Sequence, residues 1–383
     1  MRVLISGGGI AGLTISTCFR RAGIDTVVVE KAPRPRGEGY MIDFFGPGYA
    51  AAEALGLLGD LAAIHYEISE LKFLDGNGAD GVSLRYRDVR RRLFRNRHFN
   101  FMRGDLERVL VDHAGVVRYA TEIVALREDG EATLSDGSTE SWDLIVGADG
   151  LHSNVRRLVF GDAGEFFFGY ATAAFIIDDP PARLGDAFRT VTEPGRQVSV
   201  YPIRGGRVAT FFLHKRAMPL ASTSRAMAIE ELRREYAGMH WIVPELLARL
   251  DGVGDIYFDN VSQVQIGSWT RGRTVLLGDA AWCVSLLAGQ GASLAMAGAY
   301  VLAEELSRSS PERALRQYER RLRPRVEKAQ KAAGSIARWF LPETKRRIRL
   351  RNAGLRLFTL PLVASFYRRG LAGDESGIVS DIH

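Results

Sequence analysis

Arg2-Val3-Leu4-Ile5-Ser6 runs directly into Gly7-Gly8-Gly9-Ile10-Ala11-Gly12, and a helical pattern then continues to Ala22. The short apolar run reads as a buried strand. Gly23 follows the helix as a C′ glycine does. Thr26 to Glu30 (TVVVE) is a β-branched run and reads as a second buried strand. Strand, glycine turn, helix and strand in this order imply a parallel sheet. The glycines match G-x-G-x-x-G in the context that gives the pattern meaning, after a strand and opening a helix. Gly7 allows the tight turn, Gly9 lets backbone approach a pyrophosphate, and Gly12 lets the helix pack on the strand. Ile10 and Ala11 open that helix, whose free N–H groups and positive dipole end suit phosphate. Glu30, 18 residues after Gly12, suits a ribose hydroxyl, and Lys31 beside it is placed with the cofactor-binding residues. This turn alone does not separate NAD from FAD.

Outward from the turn, Lys31 to Gly48 is rich in Pro, Arg and Gly and reads as loop. Ala50 to Leu58 reads as helix. Leu71 to Tyr86 alternates around Asp75-Gly76-Asn77-Gly78, a hairpin signal. Gly104-Asp105 precedes a helix to about His113. Ile123 to Leu134 alternates again, and Leu144 to Ala148 is another short buried strand. Phe166 to Ile177 and Val198 to His214 are strand-like and aromatic, with Arg204-Gly205-Gly206-Arg207 as a turn. Helical texture returns from Ala226 to Leu250. Thr274 to Leu277 is a strand into Gly278-Asp279, a long helix follows Gly291, and the chain beyond Pro311 is helical and basic. Parallel-sheet elements thus lie at the start, near residues 140–150 and near 275, with antiparallel texture between them.

The chain has 383 residues, 46% hydrophobic and 25% charged, which excludes a disordered or collagen-like class. Two cysteines, Cys18 and Cys283, are too few for a disulfide framework and are expected to be buried. Seven histidines show no metal spacing and are expected at the surface; no metal site is expected. The start MRVLIS shows no signal peptide, so a cytoplasmic location is expected. Ala280 to Ala303 lacks charge, but Gly289-Gln290-Gly291 interrupts it and a membrane span is not expected.

Two further motifs favour FAD. Asp149-Gly150-Leu151-His152-Ser153-Asn154-Val155-Arg156, and Gly278-Asp279-Ala280-Ala281 with Gly289-Gln290-Gly291 downstream, resemble the flavin signatures of the class A, para-hydroxybenzoate hydroxylase-like flavoprotein monooxygenases. Arg103-Gly104-Asp105-Leu106 is similar to their Arg-x-x-Leu segment. The resemblance runs over about residues 1 to 325, and its texture is nearest to tetracycline-modifying and actinomycete secondary-metabolite members. It implies an α/β fold: a Rossmann-like FAD-binding domain of glutathione-reductase type, interrupted by a mixed or antiparallel substrate sheet, plus C-terminal helices. The implied boundaries are 1–70, 100–163 and 262–325 for the FAD domain, 71–99 and 164–261 for the substrate domain, and 326–383 for a helical cover.

By the same resemblance Asp279 holds ribityl hydroxyls. Gly289, Gln290, Gly291 and Ala292, at a helix start, face the pyrophosphate or the flavin pyrimidine edge. Arg103 and Leu106 contact the flavin, and Asp149 and Arg156 sit near both nucleotide segments. The implied chemistry is hydroxylation: NADPH or NADH reduces the flavin transiently, and a C4a-hydroperoxide transfers oxygen from dioxygen to an aromatic or polyketide-like small molecule. The run Ala281 to Gly289 lacks the proline common in the family. A same-fold flavoprotein performing a non-hydroxylating step is therefore the alternative reading.

Asp43, in Tyr40-Met41-Ile42-Asp43-Phe44, is the candidate catalytic base for a phenol, against a loop-capping role. Phe175, Tyr201 and Phe211 alternate on predicted strands and are candidates for a planar substrate pocket, or for the core of the sheet. Arg85 to Arg97 is arginine-rich and reads as a solvated face; no nucleic-acid partner is expected.

The overall charge of +6 is unevenly spread. From Arg308 onward there are 18 basic and 7 acidic residues, a net of +11, so the motif-bearing body is slightly acidic. The C-terminal helices, with the apolar run Leu357 to Phe366, are expected to cover the flavin domain and present a solvated basic face, with a membrane-surface or partner contact as the alternative.

Overall fold

The computed structural model describes residues 1–35, 39–161, 164–178, 184, 186–220 and 223–357. The apolar run from 358 to 366 lies outside the described residues. β1 (Arg2–Ser6), α1 (Ile10–Arg21) and β2 (Asp25–Glu30) form the expected opening unit. β3 (Met41–Phe45) leads into α2 (Pro47–Ala54) and α3 (Leu58–Ile64). β4 (Glu70–Leu74) and β5 (Asp80–Arg85) form a hairpin, followed by α4 (Tyr86–Phe94), β6 (His98–Met102) and α5 (Arg103–His113). Then come β7 (Val116–Tyr119), β8 (Ile123–Leu126), β9 (Glu131–Leu134), β10 (Thr139–Ser141), β11 (Leu144–Gly147) and α6 (Asn154–Phe160). β12 (Glu165–Ile177), β13 (Phe188–Glu193), β14 (Arg196–Ile203) and β15 (Arg207–Lys215) precede α7 (Arg225–Glu235) and α8 (Val243–Ala248). β16 (Tyr257–Val264), β17 (Thr270–Arg271) and β18 (Thr274–Leu276) lead to the short α9 (Asp279–Trp282). α10 (Gly291–Arg308), α11 (Pro311–Phe340) and α12 (Lys345–Leu357) complete the chain described.

Two large sheets organise these elements. The first has the order β17-β18-β11-β1-β2-β7, and every pairing in it is parallel except β17–β18. The three buried runs near residues 2, 144 and 274 are therefore neighbours, as their composition requires of a sheet covered on both faces. The second has the order β16-β12-β15-β14-β13-β4-β5 and is antiparallel apart from β13–β4. Smaller sheets pair β3 with β6, and β9 with both β8 and β10.

The first turn fits because two side chains are absent. Gly7 has a φ of +107°, and a Cβ there would lie 2.3 Å from the carbonyl oxygen of Ala148. A Cβ on Gly12 would lie 1.9 Å from the oxygen of Gly7. These absences let α1 seat against β1 and let β11 approach the turn. The core beneath includes Leu4, Ile5, Leu13 and Phe19, all fully buried.

Several expectations are corrected. The stretch 31–48 is not all loop, because Met41–Phe45 pairs antiparallel with β6. Arg85–Arg97 is not merely a solvated face: it contains α4, whose Tyr86, Val89, Leu93 and Phe94 are buried while arginines take the other side. The alternating run 123–134 is a hairpin, β8 and β9. The helical texture of 226–250 is two helices. His98 and His214 are buried rather than at the surface. Cys18 and Cys283, by contrast, are buried as expected, and free. Among the described residues, no helix is long and apolar enough to cross a membrane.

Gly12→Ala is expected to destabilise the protein by about 1–3 kcal/mol or more, since the added methyl meets backbone and not a movable side chain. A denaturant midpoint equal to that of the wild type would contradict this packing.

Candidate active site

One cavity of about 970 Å³ runs between the two sheets. Its volume stands at the upper end of the roughly 300–1,000 Å³ typical of small-molecule sites. One arm is built from the glycine turn. Gly7, Gly9, Ile10 and Ala11 line it, with Glu30 and Lys31 from the end of β2. Glu30 already accepts from the N–H of Gly8 (2.7 Å) and of Ala32 (2.9 Å), which fixes its carboxylate at the rim. Gly12 does not line the cavity; it acts through packing, as expected of the third glycine.

The other two motifs meet this turn. Asp149 lines the cavity, and its carboxylate accepts from the Ser153 hydroxyl and from the N–H of Val155 (3.0 Å). Burial pushes its carboxyl up, and these hydrogen bonds only partly offset the effect. Arg156 joins the motifs through carbonyls: it donates to Leu151 O (2.7 Å) and to Ala280 O (3.0 Å). Asp279 opens onto the cavity beside Gly291. Burial raises its carboxyl, with Arg103 opposing. Gly289, Gly291 and Ala292 line the wall where α10 begins. Gln290 is the residue preceding α10 and is not part of the cavity wall.

Arg103 lines the cavity, with its guanidinium 2.7 Å from the carboxylate of Glu107 one helical turn on. A Cβ on Gly9 would come within 3.6 Å of Arg103 Nη2, so the cation faces the turn. Leu106 is corrected: it is fully buried in the first core and does not reach the cavity. Glu107 went unread in the sequence, although its i,i+4 spacing from Arg103 was available.

The second arm is aromatic, and the antiparallel register explains its lining. Ser199 pairs with Phe211 and Tyr201 with Ala209, so the face carrying Tyr201, Ser199 and Phe211 looks into the cavity. Phe188 stacks on Tyr201, with ring centres 4.8 Å apart at 6°. The Tyr201 hydroxyl accepts from the N–H of Met41 (2.7 Å). Phe175 pairs with Thr210 and projects from the opposite face. It stacks on Phe212 in the second core under α7 and α8, and is not a pocket residue.

Asp43 stands at the apolar end, among Phe45, Phe94 and Tyr86. It is no loop cap. Its Oδ1 accepts from the Tyr86 hydroxyl (2.9 Å) and lies 3.0 Å from His98 Nε2. The side chain is 56% accessible because it faces the void. Enclosure works to raise its carboxyl, but the His98 hydrogen bond and charge, together with Tyr86, hold it below the usual carboxylate range. His152 lies between Asp259 (3.0 Å) and Glu165 (3.4 Å), and these partners push the imidazole up to about 10. Among the described residues no cluster of His, Cys, Asp or Glu could hold a metal.

The donor set fits a flavin dinucleotide: a side-chain-free turn at a helix start, an acceptor at the end of β2, a cation facing the turn, and an acceptor carboxylate open to the void. Such a site on a parallel sheet defines a dinucleotide-binding flavoprotein. A protein-family model described as an FAD binding domain matches residues 86–333. The chain belongs to this FAD-binding family, and it is an FAD-dependent oxidoreductase of the monooxygenase group. It is 32% identical over 326 residues to the uncharacterized protein Rv1260 of Mycobacterium tuberculosis, covering 79% of this chain and 84% of that one. It is 29% identical over 357 residues to a flavin-dependent monooxygenase of Legionella longbeachae, covering 89% and 90%. The crystal structure of tetracycline destructase Tet(51) superposes with a TM-score of 0.81 at 26% identity, covering 95% of this chain and 97% of that one.

Asp279→Ala is expected to weaken FAD binding by roughly tenfold or more, the scale of a hydrogen bond to a charged group. The cofactor-free protein is expected to melt close to the wild type, because the carboxylate faces the open cavity and supports no core packing. Unchanged affinity in a flavin-fluorescence titration would remove Asp279 from the site. The raised imidazole of His152 gives a second expectation. Its contribution is complete below pH 6.5 and is lost as pH rises toward about 10. The melting-temperature difference between wild type and His152→Gln should shrink over that range; a constant difference contradicts the ion pairing.

Proposed function

We propose that the protein hydroxylates an aromatic, polycyclic small molecule, with dioxygen as co-substrate and NADH or NADPH as electron donor. The observation that carries this reading is that one continuous cavity joins a phosphate-suited glycine turn to an aromatic sheet face. The likeness to Tet(51) supports a fused-ring substrate. The adenosine end of FAD is held by Gly7, Gly9, Ile10, Ala11, Glu30 and Lys31. Arg103, Asp149, Asp279 and the α10 start at Gly289, Gly291 and Ala292 hold the remainder. Bound FAD supplies the electron transfer and oxygen activation of the reaction.

The chain's own residues orient and enclose. Tyr201, Phe211 and Phe188 offer flat faces to a ring system and exclude water. Asp43 accepts the hydrogen bond of a substrate hydroxyl, with His98 and Tyr86 fixing its other lobe. Because its carboxyl sits low, it orients a phenol and polarises its O–H more than it takes the proton outright. We place the cofactor domain at 1–70, 100–163 and 262–325, the substrate domain at 71–99 and 164–261, and the cover at 326–383. Membership of β4, β5 and β12 to β15 in one sheet supports that division. The setting we propose is the cytoplasm.

The test is NADPH oxidation followed with oxygen and hydrogen peroxide electrodes, with and without fused-ring phenols. A phenol that accelerates NADPH oxidation while peroxide release falls is expected, and Asp43→Asn should lower the coupled rate by about 10- to 100-fold. A bound flavin that neither nicotinamide reduces overturns the reading in favour of a non-hydroxylating flavoprotein.

A further inference from the structure

Behind the aromatic arm lies a buried cation with no counter-ion among the described residues. Arg351, on α12, is 6% exposed, and no carboxylate among the described residues lies within ion-pair distance of it. Burial alone pulls its guanidinium down to about 10. Its partners are neutral: Phe340 O (3.0 Å), Asn352 Oδ1 (3.1 Å) and Thr192 Oγ1 (3.2 Å), with Gln197 Oε1 further out at 3.5 Å. The guanidinium also lies over the ring of Phe73, 5.3 Å from its centre. Phe73, Phe340 and Gln197 all line the cavity, so the charge sits immediately behind its wall. A buried charge without a partner is costly, and a structural role alone would be served by a neutral residue or by an ion pair.

The hydrogen bonds point in one direction. Arg351 donates to the Thr192 hydroxyl, and Thr192 in turn donates to Gln197 Oε1 at 2.9 Å. A guanidinium has only donors, so the proton order of this chain is fixed. It also fixes the Gln197 amide, whose oxygen must face Thr192 and Arg351. Its NH₂ is then the group left for the cavity, polarised by the cation behind it. On the same sheet face Thr190 and Ser199 share a hydroxyl–hydroxyl bond at 2.9 Å, extending the polar patch within an otherwise aromatic wall.

We propose that this patch selects the substrate: a fused-ring molecule carrying an anionic oxygen, carboxylate or enolate, which accepts from Gln197 and takes Arg351 as its distant counter-ion. The proposal rests on the aromatic-substrate reading above and names its class. Gln197 is the contacting residue. Arg351 is a positioning residue that acts through Thr192 and Gln197.

The test compares 1-hydroxy-2-naphthoate with its neutral carboxamide, binding each to the FAD-loaded protein by calorimetry. The acid is expected to bind roughly tenfold or more tightly. Arg351→Met should remove that preference, while Arg351→Lys should keep most of it. Gln197→Glu is the discriminating variant. It places a carboxylate beside Arg351, so the melting temperature should rise while the acid loses affinity and the amide does not. Equal binding of acid and amide by the wild type overturns the anion preference and leaves the aromatic reading standing. A preference that survives both Arg351→Met and Gln197→Glu overturns the assigned residues. Binding of neither probe at millimolar concentration overturns the proposal together with the reading it rests on.

Discussion

The backbone of Gly7 lies against the carbonyl of Ala148 at a distance no Cβ tolerates, and the cofactor arm is built outward from that approach. It brings the turn after β1 against the end of β11, where the Asp149 segment begins. Gly12 repeats the device on the other side by letting α1 sit on Gly7. Arg156 then links the second segment to the third through the carbonyls of Leu151 and Ala280. Three loops far apart in sequence become one crevice at the carboxyl ends of parallel strands, where open α/β sheets place ligands. The groups that line this crevice are mostly backbone and helix starts, which explains why the motifs are rich in glycine and poor in large side chains.

The second sheet serves two interiors at once. One face of β12 to β15 packs Phe175, Phe212 and Val198 against α7 and α8. The other turns Tyr201, Ser199 and Phe211 to the cavity. The period of two decides which residue does which, and a shift by one would exchange them. This is why Phe175 and Phe211, alike in type and both on strands, have different fates. The parity between β12 and β15 depends on their register, Phe175 opposite Thr210, and no local pattern states a register.

The cofactor arm was largely legible because its demands are local. A turn needing positive φ, a helix start and an acidic strand end lie within thirty residues and force residue types at fixed spacing. The substrate arm was less so. β3 was masked by its Pro- and Gly-rich flanks, and only its pairing with β6 makes it a strand. In α4 the arginines obscured an apolar stripe at Tyr86, Val89 and Leu93 whose spacing is helical. His98 carries no sequence sign of burial; its place depends on Asp43, 55 residues away. Leu106 belongs to a real motif, but an apolar residue beside a functional arginine on a helix faces the core when its spacing puts it there.

The basic C-terminal helices look different once their partners are known. Their surplus is not simply a solvated face. Arg321 bridges Glu304 and Glu305, and Arg323 pairs with Glu319 while lying over Trp269. These cations fasten α11 to α10 and to the first core, and half-burial makes such pairs stronger than surface ones. Gln330 on the same helix donates to Val264 O at 2.7 Å, and Gln263 donates to Val284 O at 3.1 Å. Together they hold the segment that carries Ser285. Ser285 sits at a φ of +96°, a conformation costly for any residue with a Cβ. A proline, with φ fixed near −65°, could not occupy it. The loop is stitched from outside by amides, and the cavity wall at Cys283 to Gly289 is formed by it.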